Sequence, residues 1–115
     1  MSGLTTHVLD LAGGRPAADV GVRLFRREGE ALRELASPRT NADGRAVLLS
    51  GEELEPGGYR LAFEIGAYFA TSGAAVTSPP FLGVVVIDFA VADRAQHHHV
   101  PLLVSPFGYS TYRGS

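Results

Sequence analysis

A chain of 115 residues with a formal net charge of -2 has room for one domain, expected over residues 1–115, and for no second independent core. It has no cysteine, which excludes disulfides and thiolate metal sites and fits a reducing cytoplasm, and its 10 basic residues are all arginine. No cationic stripe stands ready to neutralise phosphates, no apolar run reaches bilayer length, and residues 1–7 lack the basic-then-apolar pattern of a signal peptide. Neither a nucleic-acid nor a membrane partner is expected.

Strand signals dominate. Residues 5–11 alternate, with Thr5, His7 and Leu9 on one face and Thr6, Val8 and Asp10 on the other, until Gly13-Gly14-Arg15-Pro16 breaks the run. Val20, Val22 and Leu24 make the apolar face of a second strand. The Arg- and Glu-rich stretch to Pro38 predicts a short exposed strand and a loop. Asn41-Ala42-Asp43-Gly44 is a strong turn signal, because Asp-Gly supplies the positive φ that a tight turn needs, and Arg45 follows it directly. Ser50, with Glu53 three residues on, predicts one capped helical turn over 50–55, the only helix expected, ended by Pro56-Gly57-Gly58.

Tyr59, Leu61, Phe63 and Ile65 then alternate with Arg60, Ala62 and Glu64, the clearest half-buried strand in the chain. Residues 71–80 form a loop of small residues and proline. Residues 84–91 are apolar on both faces until Asp88, which predicts a central strand, and 97–104 form the last strand before a polar tail. Seven or eight short strands and one helical turn predict an all-β, antiparallel β-sandwich, a fold that by itself names no function.

Candidate chemistry concentrates late in the chain. In a strand, His97 and His99 share a face with Pro101 and Leu103, while His98 joins Val100, Leu102 and Val104 on the core side. Pro101 has no N–H, so an unpaired position is expected there, at an edge or a bulge. On spacing alone these histidines fit an exposed strand end or a single satisfied core histidine. The sharper alternative is a metal site, with His97 and His99 joined by His7, but no carboxylate pattern marks such a cluster, and no metal is expected. Taken singly, His7 reads as structural, Arg45 as a solvated arginine and 110–115 as a frayed end.

Three blocks change that balance. They are Leu4-Thr5-Thr6-His7-Val8-Leu9-Asp10 with Gly14-Arg15-Pro16-Ala17; Thr40-Asn41-Ala42-Asp43-Gly44-Arg45; and the run from His97-His98-His99-Val100-Pro101 to the closing Tyr112-Arg113-Gly114-Ser115. Together they resemble the 5-hydroxyisourate hydrolase family, the transthyretin-related proteins, essentially end to end, and the Tyr-Arg-Gly-Ser ending is the most specific of the set. The resemblance implies a transthyretin-like β-sandwich and a homotetramer, a dimer of dimers with active sites in a channel between the dimers.

It also implies a cofactor-free hydrolase that opens the six-membered ring of 5-hydroxyisourate, with catalytic positions at His7, Arg45, His99 and Ser115. Arg45, Tyr112 and His97 are the substrate-binding candidates. In that scheme His7 and His99 share the base and acid roles, in an order the sequence leaves open. Arg45 polarises the substrate and depresses a neighbouring imidazole's pKa, and Ser115 positions. The chain departs from the family at His98, where an aromatic, commonly Tyr, is usual; at Val104, where Leu is usual; and around 80–83, where the common Phe-Phe-Pro is missing. His98 is expected to face away from the chemistry. The alternatives are a non-catalytic small-molecule carrier of the transthyretin type and a metal-dependent hydrolase.

Overall fold

Alternation sets the strands and decides which side chains meet. In the computed structural model, which describes residues 3–114, β1 (Gly3–Asp10) buries Leu4, Thr6, Val8 and Asp10 and turns Thr5, His7 and Leu9 outward. The two-residue β2 (Arg15–Pro16) follows, then β3 (Val22–Glu28), β4 (Ala31–Ala36), β5 (Arg45–Ser50) and β6 (Gly57–Glu64). A short helix α1 (Ile65–Ala70) leads through a loop to β7 (Val84–Val91), β8 (His97–Ser105) and β9 (Gly108–Thr111). Among the described residues no helix is long and apolar enough to cross a membrane.

The strands form two sheets. In one, β1 lies between β8 on one side and β5 and β2 on the other, and β9 extends the sheet beyond β8. The second has the order β4-β3-β6-β7. Leu4, Val8, Leu102 and Val104 from the first sheet close a single core with Val22, Leu24, Leu61 and Phe63 from the second. Each such side chain contributes about 1.5–3 kcal/mol by leaving water. The buried polar groups are answered within the fold: Thr6 donates to the carbonyl of Val100 at 2.6 Å, and Asp10 accepts from the Gly13 N–H and the Tyr68 hydroxyl.

The all-β sandwich is as expected, with four differences. The ladder between β1 and β8 is parallel, running from Gly3↔His97 to Asp10↔Val104, within an otherwise antiparallel arrangement. The helix is not at 50–55. There Ser50 and Glu53 make their reciprocal capping bonds and close one turn, which Pro56-Gly57 stops before it propagates. The helix instead begins at Ile65, which the alternation had assigned to the end of β6. Ile65 and Phe69 are one helical turn apart and both buried, a signal too short to separate from a strand.

β7 is an edge strand rather than a central one, and Val84 and Val86 on its outer face, which no other element covers, are 50% and 44% exposed. Pro101, finally, lies on an interior strand, and its missing N–H falls at a gap in the β8–β9 ladder. The last pair is Leu102↔Thr111, and the tail rejoins only at His99↔Gly114.

Candidate active site

Three adjacent strands of the first sheet place their outward side chains on one face. The antiparallel register sets His7 opposite Arg45, and the parallel register sets Thr5 beside His99. A bulge between β1 and β5 leaves Leu48 and Leu49 both buried while Arg45 and Val47 point outward. These residues line a cleft of about 640 Å³, floored by Thr5, His7, Arg45, His97 and His99 and flanked by Asn41, Tyr112 and Gly114.

Arg45 owes its place to the turn before it. Gly44 sits at φ 77°, and a Cβ there would stand 2.5 Å from the carbonyl oxygen of Val8, so only glycine lets the turn press against β1. The Asn41 side chain accepts from the N–H groups of Asp43 (2.9 Å) and Arg45 (3.0 Å), which fixes where β5 starts. Among the described residues the Arg45 guanidinium has no ion-pair partner, whereas Arg15, Arg23, Arg33, Arg39, Arg60 and Arg94 are all paired with carboxylates. Among the described residues its side-chain donors have no hydrogen-bond acceptor either.

The histidines are held in distinct ways. Nε2 of His7 lies 2.8 Å from the carbonyl oxygen of Asp43, which can only accept, so Nε2 carries the proton and Nδ1 is the free nitrogen of the neutral ring. Nδ1 of His99 lies 2.8 Å from the Thr5 hydroxyl, leaving Nε2 for other partners. Burial, and after it the Arg45 guanidinium and the His7 and His97 rings, hold His99 below the usual histidine pKa. The His99 ring centroid is 6.4 Å from that of His7 and 6.5 Å from that of His97. Among the described residues no three His, Cys, Asp or Glu side chains converge as a metal-ligand set.

The C-terminal segment completes the wall. The N–H of Gly114 donates to the His99 carbonyl at 2.7 Å, and a Cβ on Gly114 would meet Cδ2 of His99 at 2.8 Å, so the tail can lie against the ring only as glycine. Tyr112, 59% exposed, stands at the rim. His7, Arg45, His97, His99 and Tyr112 therefore share one cleft, and Ser115 lies outside the described residues. His98 is on the inner face and donates from Nδ1 to the carbonyl of Gln96 at 2.9 Å.

The sandwich has counterparts among known proteins. The sequence pattern of the HIUase/Transthyretin family matches residues 4–114. The chain belongs to that family. It is 67% identical, over all of both chains, to a protein of Caulobacter vibrioides named 5-hydroxyisourate hydrolase. The solved structure of Klebsiella pneumoniae 5-hydroxyisourate hydrolase shares 43% identity with it at a TM-score of 0.81, with full coverage of both. The crystal structure of (S)-allantoin synthase shares 39% identity at a TM-score of 0.91, and the chain covers 44% of that longer protein.

The sequence pointed to the histidines, the arginine and the tyrosine but gave no role to Thr5, Asn41 or Gly114. Thr5 shares a face with His7, but its contact with His99 depends on a parallel pairing that no local pattern announces. Asn41 and Gly114 act through backbone geometry, visible only once the turn and tail are in place.

Proposed function

We propose that this chain, as one transthyretin-like domain over residues 1–115, is a 5-hydroxyisourate hydrolase, opening the six-membered ring to 2-oxo-4-hydroxy-4-carboxy-5-ureidoimidazoline in urate degradation. The observation that carries the reading is the Arg45 guanidinium, without a carboxylate partner among the described residues, beside two imidazoles held by different partners, in one cleft sized for a small heterocycle.

In this scheme Nε2 of His99 takes a proton from water while the oxygen attacks the ring carbonyl carbon. Its lowered pKa keeps the ring neutral and able to accept at neutral pH. Arg45 stabilises the negative charge that develops on the carbonyl oxygen, an interaction worth about 3–4 kcal/mol in comparable sites. Collapse breaks the carbon–nitrogen bond, and the departing nitrogen takes a proton from Nδ1 of His7, which acts in its protonated form; the proton that His99 took from water restores that form for the next turnover. His97 and Tyr112 contact the substrate, and Ser115 positions the water. No cofactor is used.

Two further features belong to the proposal. The cleft opens on an uncovered sheet face beside Val47, which is 72% exposed, and β7 offers an unpaired edge with apolar outward residues. Both fit a homotetramer, a dimer of dimers with the clefts turned toward a shared channel, and sedimentation of the native protein at four times the monomer mass checks this. The proposed compartment is the cytoplasm. The function is tested by generating 5-hydroxyisourate fresh from urate and following its ultraviolet absorbance. Decay sharply faster with protein than without supports the hydrolase. Decay equal to the blank, from an intact assembly, returns the chain to the carrier reading.

A further inference from the structure

The Thr5 hydroxyl touches two imidazoles at once. Its Oγ1 lies 3.0 Å from Nε2 of His97 and 2.8 Å from Nδ1 of His99. A hydroxyl has one proton to give, and no other acceptor for it is found among the described residues. The arrangement that satisfies all three groups is a one-way chain: one ring donates to Oγ1, and Oγ1 donates to the other ring.

The chain can run in two directions. In the first, Nδ1–H of His99 donates to Thr5, and Thr5 donates to the bare Nε2 of His97. A neutral His99 then has its Nε2 unprotonated, facing away from Thr5 and able to accept a proton from water. In the second, Nε2–H of His97 donates to Thr5, and Thr5 donates to Nδ1 of His99. The neutral His99 ring then carries its proton on Nε2 and cannot act as a base.

We propose that Thr5 is a positioning residue through which His97 sets the tautomer of His99, so that turnover requires both imidazoles to be neutral. Protonation of His97 places a hydrogen on its Nε2, forces the second direction and silences His99 without any movement of the chain. The inference rests on the reading of His99 as the base. The charged groups around the pair are few. His7 approaches from β1 and Arg45 from β5, while Arg113 in the tail donates to the His97 carbonyl at 3.2 Å. Among the described residues no carboxylate joins these neighbours.

The test compares Thr5→Val, which keeps the shape and branching but removes the hydroxyl, with Thr5→Ser, which keeps the hydroxyl. Removing a general base outright costs about 100- to 10,000-fold; Thr5→Val is expected to lower kcat by roughly 10- to 100-fold, because some rings still adopt the competent tautomer. KM stays within about twofold, since uniform binding is untouched. Thr5→Ser restores kcat to near the parent value. The acid limb of the pH–rate profile, steep in the parent because two rings must lose protons, relaxes to a single-proton slope in Thr5→Val.

Nitrogen-15 NMR of labelled histidine gives a readout independent of turnover. His99 is protonated at Nδ1 in the neutral parent and shifts to the Nε2–H form in Thr5→Val. Parent-like kcat in Thr5→Val, a Thr5→Ser protein as impaired as Thr5→Val, or an unchanged His99 tautomer would each overturn the coupling. Failure of the base reading shows separately, as a His99→Asn protein that keeps its turnover while the Thr5→Val tautomer still shifts.

Discussion

The outer faces of the two sheets are built on the same alternation and end up chemically opposite. On the second sheet, Arg60 of β6 faces Asp88 of β7 in direct register, and the guanidinium meets the carboxylate at 2.7 and 3.0 Å. Each holds the other in its charged form: the Asp88 carboxyl titrates below its usual range and the Arg60 guanidinium above its own, with the shared hydrogen bond as the leading cause. On the first sheet, Arg45 of β5 faces His7 of β1 in the same kind of register, and the next strand adds His99 rather than an acid. Cross-strand pairing thus neutralises one face and leaves the other with unspent charge. That unspent charge, rather than the abundance of polar residues, distinguishes a site from a surface.

Substitutions can break the comparison in order of expected effect. If His99 is the base, as proposed, His99→Asn lowers kcat by about 100- to 10,000-fold in the absorbance assay; full turnover would show that another group accepts the proton. Arg45→Gln removes the guanidinium proposed to stabilise the developing oxyanion, and the expected loss in kcat is about 100- to 1,000-fold. The same variant sharpens the electrostatic argument. Turnover by a neutral His99 rises as the ring loses its proton, so a lowered pKa places the His99 step of the parent's acid limb below pH 6.5. Removing Arg45 deletes the second cause of that lowering while burial, the first, remains, so the His99 step moves upward but stays below that value.

Arg60→Ala is the matched control on the other face. A half-exposed ion pair contributes about 0–1 kcal/mol, so thermal unfolding is expected to shift slightly and turnover not at all. Dialysis against a chelator is expected to leave the decay rate unchanged; a loss restored by added metal would revive the metal-dependent reading.

How much of this was legible beforehand follows the range of each interaction. Faces could be read, because a period of two is local: His97 and His99 outward, His98 and Leu102 inward. Partners could not. Nothing in residues 84–91 distinguishes an edge strand from a central one, since apolar residues on both faces suit either a covered interior or an edge that meets another surface. The helix was misplaced because Ser50 and Glu53 carry a complete capping signature that stops at one turn, while Ile65 continues the rhythm of β6. In the site, Arg45 was legible through the turn before it, whereas Thr5 became meaningful only when the parallel ladder brought it to His99. The resemblance supplied the joint significance of residues that spacing alone left unremarkable.

The parallel ladder between β1 and β8 also governs when the cleft can come into being. Thr5 and His99 are separated by 94 positions, so their contact closes nearly the whole chain into one loop. Contacts of such long range form late and slowly, on the order of milliseconds to seconds for β-sandwich topologies. A ribosome must release almost all of the polypeptide before the two strands can meet, and no fragment lacking either end can assemble the cleft. Regain of turnover during refolding therefore reports the joining of the chain's two ends, while strand content in the second sheet, built from neighbouring β3, β4, β6 and β7, is free to recover ahead of it.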